Sequence, residues 1–254
     1  MTLSALVVRS AFVAIALLSI TVPARADDVK VFSSVAMRTV VEDLAQRFER
    51  ETKHRIVPTF GLAAALKGRI EGGEAFDLAI LTPAQIDDLI KQGKAAAASR
   101  AVIARTGLGL MVRAGAPKLD IGTTDRFKQT LLSAKSLTYV PAGASGVAFL
   151  ATAKQLGIAQ ALEAKTKAAA SGEEVNTNVT SGAAEIAVLP VSEILPVKGA
   201  ALGGVFPADV QTYIVMAGAT SNTASQAARD FLARLTSAAS DAVVTAKGME
   251  RVKP

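Results

Sequence analysis

The 254-residue chain carries 28 Lys and Arg, 22 Asp and Glu and a single His, which gives a formal net charge of +6. It contains no cysteine, which excludes disulfides, thiolate zinc sites and cysteine catalysis. It has no Trp, few aromatic residues and basic residues that are spread rather than clustered, which argues against a nucleic-acid surface. The positive charge favours small anionic partners through long-range attraction.

The first 26 residues have the pattern of a secretory signal peptide. Arg9 precedes an apolar run from Ala11 to Ile20, and Ala24-Arg25-Ala26 matches the small-x-small cleavage rule. The run is shorter than the ~20 residues that a membrane span requires, which disfavours the alternative of an uncleaved anchor. We expect a periplasmic chain that begins near Asp27 and does not insert into the membrane. Its net charge would be +4, because cleavage removes two arginines and no acidic residue from the +6 total.

From Val29 onward, short apolar runs alternate with helical stretches. The spacing predicts strands over 29–32, 55–60, 77–81, 108–112, 136–140, 185–189 and 213–217. It predicts helices over 36–51, 63–71, 83–91, 124–132, 145–156 and 223–235, and a last helix that ends at Gly248. The first helix has an apolar stripe formed by Val40, Val41, Leu44, Ala45 and Phe48. Alternating strands and helices indicate parallel βαβ units and an α/β layer fold.

Four segments share one design, in which a strand ends in small or hydroxyl residues directly before a predicted helix. They are Ser33-Ser34-Val35-Ala36, Gly61-Leu62-Ala63, Gly143-Ala144-Ser145-Gly146 and Asn178-Val179-Thr180-Ser181-Gly182. A helix N-terminus presents free N–H groups and a positive dipole end, so each segment can bind an anion. Ordinary helix capping is the alternative at any one of them. Ligands of α/β sheets bind beyond the carboxyl ends of strands, so four such segments suggest one ligand held between two lobes.

Several of these segments resemble periplasmic molybdate-binding proteins, which are type II solute-binding proteins. The resemblance is carried by Val31–Met37, Phe60–Leu66, Ile70–Glu74 and Phe76–Ile80, and continues more weakly through Leu108–Val112 and Tyr213–Ala217 to Gly248. It implies two α/β lobes, each a mostly parallel sheet flanked by helices, that close on the ligand about two chain crossings.

The same resemblance implies where the chain passes between the lobes. We expect the crossings near Thr106–Leu110 and near Gln211–Val215. The first lobe would then comprise residues 27–107 and 213–254, and the second would comprise 108–212. The late strand belongs to the first lobe, because the chain must return to complete it.

The chain departs from this family at the positions of the usual molybdate donors. Those positions are occupied by Ala36, Leu62, Ala63, Ala64 and, near the family's tyrosine, Pro190. Losing neutral donors would leave a dehydrated dianion poorly satisfied. We therefore expect a ligand other than molybdate, although Ser33, Ser34 and Ser145 can replace some of the donors.

Charged residues near these segments are further candidates. Arg38 lies in the first turn of the helix that follows Ser33-Ser34, and a guanidinium can grip a carboxylate by two parallel hydrogen bonds. A solvated helix face is the alternative for Arg38, and it is the preferred interpretation of Lys67 and Arg69. Glu185 and Glu193 lie near a later strand and can be cleft or surface carboxylates.

The remaining polar candidates are His54 and Tyr139. His54 lies between the first helix and the second strand, at the end opposite the predicted cleft, which favours a surface role. Tyr139 ends a strand on the cleft side, where it can hydrogen-bond a ligand or only pack. No Ser-His-Asp set or metal-ligand spacing is present, and we expect no cofactor.

Two functions of different classes fit these observations. The first is a monomeric solute-binding protein that delivers a small carboxylate or oxyanion to an ABC permease. The second is a cofactor-free isomerase, because aconitate isomerase resembles molybdate-binding proteins of this kind. Moving an allylic proton between trans- and cis-aconitate needs a cationic cradle and acid–base groups, for which the candidates are Arg38, Lys67, Ser145 and Tyr139. A sensory or scavenging protein without a dedicated permease is a third possibility.

The sequence thus predicts one set of ligand-binding residues for the first two functions. They are Ser33, Ser34, Ala36, Arg38, Gly61, Ala63, Tyr139, Ser145, Gly146 and Ser181. Catalytic residues are not assigned by the sequence.

Overall fold

The computed structural model describes residues 28–252, so the predicted signal peptide lies outside the described part of the chain. The strands in this range are β1 (Asp28–Ser34), β2 (Arg55–Gly61), β3 (Leu78–Leu81), β4 (Ala101–Arg113), β5 (Leu137–Tyr139), β6 (Thr166–Ala168), β7 (Ile186–Pro190), β8 (Ala200–Val205) and β9 (Tyr213–Thr220). The α-helices are α1 (Arg38–Thr52), α2 (Ala63–Glu71), α3 (Pro83–Lys91), α4 (Thr124–Ser133), α5 (Ala144–Gln155), α6 (Ala159–Glu163), α7 (Gly172–Thr180), α8 (Val191–Ile194), α9 (Gln226–Thr236) and α10 (Asp241–Ala246). Within residues 28–252, no helix combines the length and the apolar character that a membrane crossing requires.

The strands follow the order β2-β1-β3-β9-β4-β7-β5-β6, and β8 pairs with β4. Strands β2, β1 and β3 pair in parallel, and so do β7, β5 and β6. The long strands β4 and β9 join these two groups through antiparallel pairs. The molecule therefore has the predicted two-lobed α/β fold, with parallel strands flanked by helices in each lobe.

Strand β4 changes its pairing partner along its length. From Ala101 to Gly107 it pairs with β9, and from Leu108 onward it pairs with β7. The sequence predicts only residues 108–112 as a strand, because Arg105 and Thr106 interrupt the apolar pattern before it. Both polar side chains have partners: Arg105 forms an ion pair with Glu250 and buried Thr106 donates a hydrogen bond to the carbonyl oxygen of Gly248.

The first helix packs on the sheet through its predicted apolar stripe. Val40, Val41, Leu44, Ala45 and Phe48 are all buried, which confirms that prediction. The side chains of β1 that pack with this stripe include Val29 and Val31, which are also fully buried. Burying each such side chain contributes about 1.5–3 kcal/mol, so this contact fixes the start of α1 relative to the end of β1.

Between residues 157 and 205 the sequence correctly predicts β7 but misses α6, β6, α7, α8 and β8. Helix α7 begins after Ser171, whose side chain accepts a hydrogen bond from the N–H of Glu174. The sequence does not predict this helix, because its polar residues outnumber the apolar ones. The segment 178–182 consequently lies at the end of a helix, and the prediction that it starts one is wrong. Ser181 is exposed there and donates to the carbonyl oxygen of Thr177 at 2.7 Å.

Candidate ligand-binding site

A cavity of about 390 Å³ lies where the parallel strands of both lobes end. Each of the strands β1, β2, β3, β5, β6 and β7 contributes to the wall, either with its own last residue or from the segment that follows it. In this order the wall residues are Ser34, Gly61, Gln85, Ser145, Gly172 and Glu193. The carboxyl end of such a sheet is the expected place for a ligand, and the volume is typical of small-molecule sites.

Three helices begin at the wall of this cavity. Ala63 and Ala64 open α2, Ala144 and Ser145 open α5, and Gly172 opens α7. The first N–H groups of a helix have no acceptor within the helix, and the helix dipole makes this end positive. The cavity is therefore surrounded by backbone donors that suit a negatively charged ligand.

Two serine hydroxyls lie at the cavity. Ser34 and Ser145 are 9% and 6% exposed, and both line the wall. Neither hydroxyl forms a hydrogen bond with any other residue of the described range, so both can donate to a ligand. Ser33 is different, because it is fully buried and its hydroxyl donates to the carbonyl oxygen of Ser34 at 3.1 Å.

Gln85 is a wall residue that the sequence analysis missed. Its Oε1 accepts hydrogen bonds from the N–H and the hydroxyl of Thr82, at 3.2 and 2.9 Å, in the capping box of α3. Within residues 28–252, its side-chain nitrogen has no hydrogen-bond acceptor. The cap thus fixes the amide and leaves its N–H groups available at the cavity. The Thr-x-x-Gln spacing could have identified this residue.

Glu193 supplies the one carboxyl group among the described residues of the wall. Burial raises its pKa from 4.5 to about 7, with a smaller contribution from the charge of Glu173, while Arg38 opposes the shift. No described residue forms a hydrogen bond or ion pair with this carboxyl group. It can therefore hold or release a proton near neutral pH beside a bound ligand.

The other predicted residues divide between the wall and its surroundings. Ala36, Gly61 and Ala63 line the cavity. Arg38 lies instead at a smaller adjoining cavity, and Gly146 packs against the backbone of Val140. The carbonyl oxygen of Ala36 also accepts a 2.8 Å hydrogen bond from the hydroxyl of Ser192 in α8.

Tyr139 is a core residue. It is 7% exposed, and its ring contacts Phe149 edge-on at a centroid distance of 5.1 Å. Burial and, secondarily, the charge of Glu163 raise its pKa. It is absent from the described wall of the cavity, so the structure favours the packing alternative over ligand binding.

The cationic side chains of α2 also lie away from the cavity. Lys67 pairs with Glu71 at 2.6 Å, and Arg69 binds Glu74 through two contacts of 2.7 and 2.5 Å. These pairs agree with the solvated-face interpretation, and Lys67 cannot serve in a cationic cradle at this site. His54 stacks on Phe48 at the far end of α1, with ring centroids 6.4 Å apart.

The described residues of the wall include no Lys, Arg or His, so the donors at this cavity are neutral. No group of three or more His, Asp or Glu residues within 28–252 is arranged to hold a metal ion. The arrangement can bind an anion through N–H and O–H donors, next to a carboxyl group that titrates near neutrality.

Sequence comparison places these features in a known family. Residues 29–250 match the family model of bacterial extracellular solute-binding proteins. The chain belongs to this family. It is also 28% identical over 231 residues to an aconitate isomerase of a Pseudomonas species, covering 87% of each chain.

Two further comparisons point to molybdate-binding proteins. The chain is 27% identical over 224 residues to the molybdate-binding protein ModA of Azotobacter vinelandii, covering 82% of this solute-binding protein and 85% of ModA. The solved periplasmic molybdate-binding protein of A. vinelandii superposes with a TM-score of 0.75 and 21% identity. That match covers 89% of this chain and 99% of the other, and it confirms the fold.

Proposed function

We propose that the protein binds a small anion between its two lobes and delivers it, as a periplasmic monomer, to an ABC permease. The observation that carries this proposal is the cavity wall, which combines three helix N-termini with Ser34, Ser145 and Gln85. Neutral donors held by a rigid fold can replace the hydration shell of an anion. The similarity to the molybdate-binding protein ModA of A. vinelandii supports the anionic class of ligand.

The lobe boundaries form part of the proposal. We place the first lobe at residues 27–107 and 213–254 and the second at 108–212. The change of pairing partner of β4 between Gly107 and Leu108 supports the first boundary. The start of β9 at Tyr213, where the chain returns to pair with β4 and β3, supports the second.

A ligand screen tests anion binding. The mature chain is titrated with molybdate, tungstate, sulfate, citrate and trans-aconitate, by thermal shift and then by calorimetry. A ligand that binds only the folded state must raise the melting temperature. Ser145→Ala should weaken binding of the active anion about 10-fold or more, since hydrogen bonds to charged groups are strong. Ser133→Ala, on the exposed end of α4, serves as the control.

A second candidate function is the isomerisation of trans- to cis-aconitate, and Glu193 favours it. The reaction removes a proton from the methylene carbon and adds one to the former vinyl carbon while the double bond migrates. A carboxyl group with a pKa of about 7 can accept the first proton and return it, so no cofactor or net proton is required. The similarity to an aconitate isomerase supports this candidate.

Formation of cis-aconitate distinguishes the isomerase from a protein that only binds the anion. Wild-type protein is incubated with trans-aconitate, and the cis isomer is followed by chromatography. Conversion at the buffer rate would contradict the isomerase. If conversion occurs, Glu193→Gln should abolish it while trans-aconitate still binds, whereas Glu163→Gln, at an exposed carboxyl on α6, should leave the rate unchanged.

A further inference from the structure

A second cavity, of about 150 Å³, adjoins the first. The two share three wall residues, Val35, Gly172 and Glu193. The second cavity is also lined by Arg38 from one lobe and by Asn176 from the other. The described wall of the first cavity has no cationic side chain, but Arg38 provides one in the adjoining cavity.

The guanidinium of Arg38 is held in place by a ring, but it forms no short ion pair with a carboxylate. Its Cζ atom lies 4.4 Å from the centroid of the Phe60 ring, which fixes the plane of the guanidinium. Its nitrogens lie 3.4 Å from Glu173 and 3.9 Å from Glu42, and both distances exceed those of a charge-assisted hydrogen bond. Arg69, by contrast, holds Glu74 through two short bonds. The planar guanidinium of Arg38 can therefore bind a ligand carboxylate at shorter distances than it has to Glu173 and Glu42.

Asn176 supplies an unsatisfied polar group at the same cavity. Its Oδ1 is buried and lacks a hydrogen-bond partner among the described residues. A buried polar atom without a partner is costly, so a ligand that fills this space gains by satisfying it. Rotating the amide by 180° would present its NH2 group to a carboxylate instead.

Glu193 stands between the two cavities, where an ionised carboxylate would repel an anion on either side. The groups that face it are Glu173 from α7 and Arg38 from α1. Burial, the main cause, and the Glu173 charge both favour its protonated form, which can donate a hydrogen bond to a ligand. The boundary between the cavities is therefore compatible with a ligand that carries negative groups at both ends.

We propose that the ligand is a di- or tricarboxylate that occupies both cavities, with one carboxylate at the N-terminal ends of α2 and α5 and another against Arg38. This inference rests on the proposed anion-binding function and specifies its substrate class. The second carboxylate replaces Glu173 on the guanidinium. Arg38 and Asn176 at one end, and α2 and α5 at the other, belong to different lobes, so the ligand contacts both lobes at each of its ends.

Calorimetry on three proteins tests the inference: the mature wild type, Arg38→Gln and the control Arg69→Gln. Arg69 is a matched control because it also stacks on a ring, that of Phe32, but lies outside both cavities. The probes with several carboxylates are citrate, tricarballylate and trans-aconitate, and the single-centre probes are sulfate, molybdate and acetate. Ligand-free melting curves verify that each variant is folded.

We expect Arg38→Gln to weaken binding of the tightest polycarboxylate about 10- to 100-fold, and Arg69→Gln to leave it unchanged. Arg38→Lys, which keeps the charge but loses the fork, should fall between wild type and Arg38→Gln. Equal affinities of wild type and Arg38→Gln would overturn the inference. Binding of sulfate or molybdate without any polycarboxylate would overturn it and leave anion binding intact. Binding of no anion would contradict the proposed function itself.

Discussion

Oε2 of Glu193 lies 3.2 Å from the point at which residue 172 would carry a Cβ atom, so this carboxyl group packs directly on the first residue of α7. An added Cβ atom there would require the carboxyl group to shift by a few tenths of an ångström. The close contact helps to bury the carboxyl group, and burial is the main cause of its raised pKa. The start of α7 is thus one of the surfaces that bury this carboxyl group and so contribute to its raised pKa.

The titration of Glu193 should be visible in the stability of the ligand-free protein. The pKa is about 7 in the folded state and 4.5 is its ordinary value. Between these values the folded chain keeps a proton that the unfolded chain has released, so stability falls as pH rises from 5 to 8. This carboxyl should contribute a loss of about 1–3 kcal/mol. Urea unfolding at four pH values in this range measures it.

The variant Glu193→Gln isolates that contribution. It carries no titrating proton, so its free energy of unfolding should change less with pH and should exceed that of the wild type at pH 8. Glu163→Gln, which removes an exposed carboxyl on α6, should follow the wild-type curve. Parallel curves for wild type and Glu193→Gln would contradict a raised pKa.

The same proton should control ligand affinity. An anion in the cavity lies beside Glu193, so it should bind more tightly when this carboxyl is protonated. Affinity for sulfate, or for trans-aconitate if that is the ligand, should fall about 10-fold between pH 6 and pH 8. Calorimetry in matched buffers measures the change. Glu193→Gln should bind equally at both pH values, and an unchanged wild-type affinity would place the anion away from this residue.

A substitution at Gln85 tests whether the ligand is bound by neutral donors, and it should leave the fold intact. Gln85→Glu keeps an oxygen that accepts the two Thr82 hydrogen bonds, so α3 remains capped and stability should change by less than about 0.5 kcal/mol. The change replaces the amide donor by a negative oxygen at the cavity. Anion affinity should fall at least about 10-fold, as measured by calorimetry.

A charge-matched control accompanies this variant. Gln160→Glu adds the same charge on exposed α6, outside both cavities, and should not alter affinity. If both variants lower affinity equally, net charge rather than contact explains the loss. If neither does, Gln85 does not touch the ligand.

Most helices and strands of the first lobe can be predicted from the sequence, because the patterns that indicate them lie within short stretches of the chain. The stripe from Val40 to Phe48 repeats at helical spacing, and β1, β2 and β3 are short apolar runs bounded by turns. The sequence also predicts the candidate anion segments at the ends of β1, β2 and β5 from a local signal, because small residues mark the change from strand to helix. These segments supply Ser34, Gly61 and Ser145 to the wall.

The residues that the sequence could not assign depend on distant contacts. From the sequence, Glu193 can be a cleft or a surface carboxylate, and its position in the cavity wall, packed on Gly172, decides for the cleft. Helix α7 lacks a continuous apolar stripe, so its N-terminus was missed. Tyr139 ends a strand on the expected side, yet it packs inward on Phe149. Arg38 begins α1 one short turn after Ser34 and therefore lines the adjoining cavity.

Gly146 tests how closely α5 must approach the end of β5. A Cβ atom on this residue would lie 1.9 Å from the carbonyl oxygen of Val140 and 3.0 Å from Cα of Pro141. Both are backbone atoms, which cannot rotate away as a side chain can. Gly146→Ala should therefore push the helix start outward and destabilise the protein by about 1–3 kcal/mol. It should also weaken anion binding, because Ser145 moves with the helix.

Gly68→Ala is the matched control for this substitution. Gly68 is exposed within α2, and an added Cβ meets no atom within 4 Å. Alanine should therefore stabilise the protein, by about 0.5–1 kcal/mol, through its helix propensity and its smaller unfolded-state entropy. Chemical denaturation of both variants measures the opposite signs. If Gly146→Ala were as stable as Gly68→Ala and bound the anion equally well, α5 would not be held against Val140, and the position of Ser145 at the cavity would have to be revised.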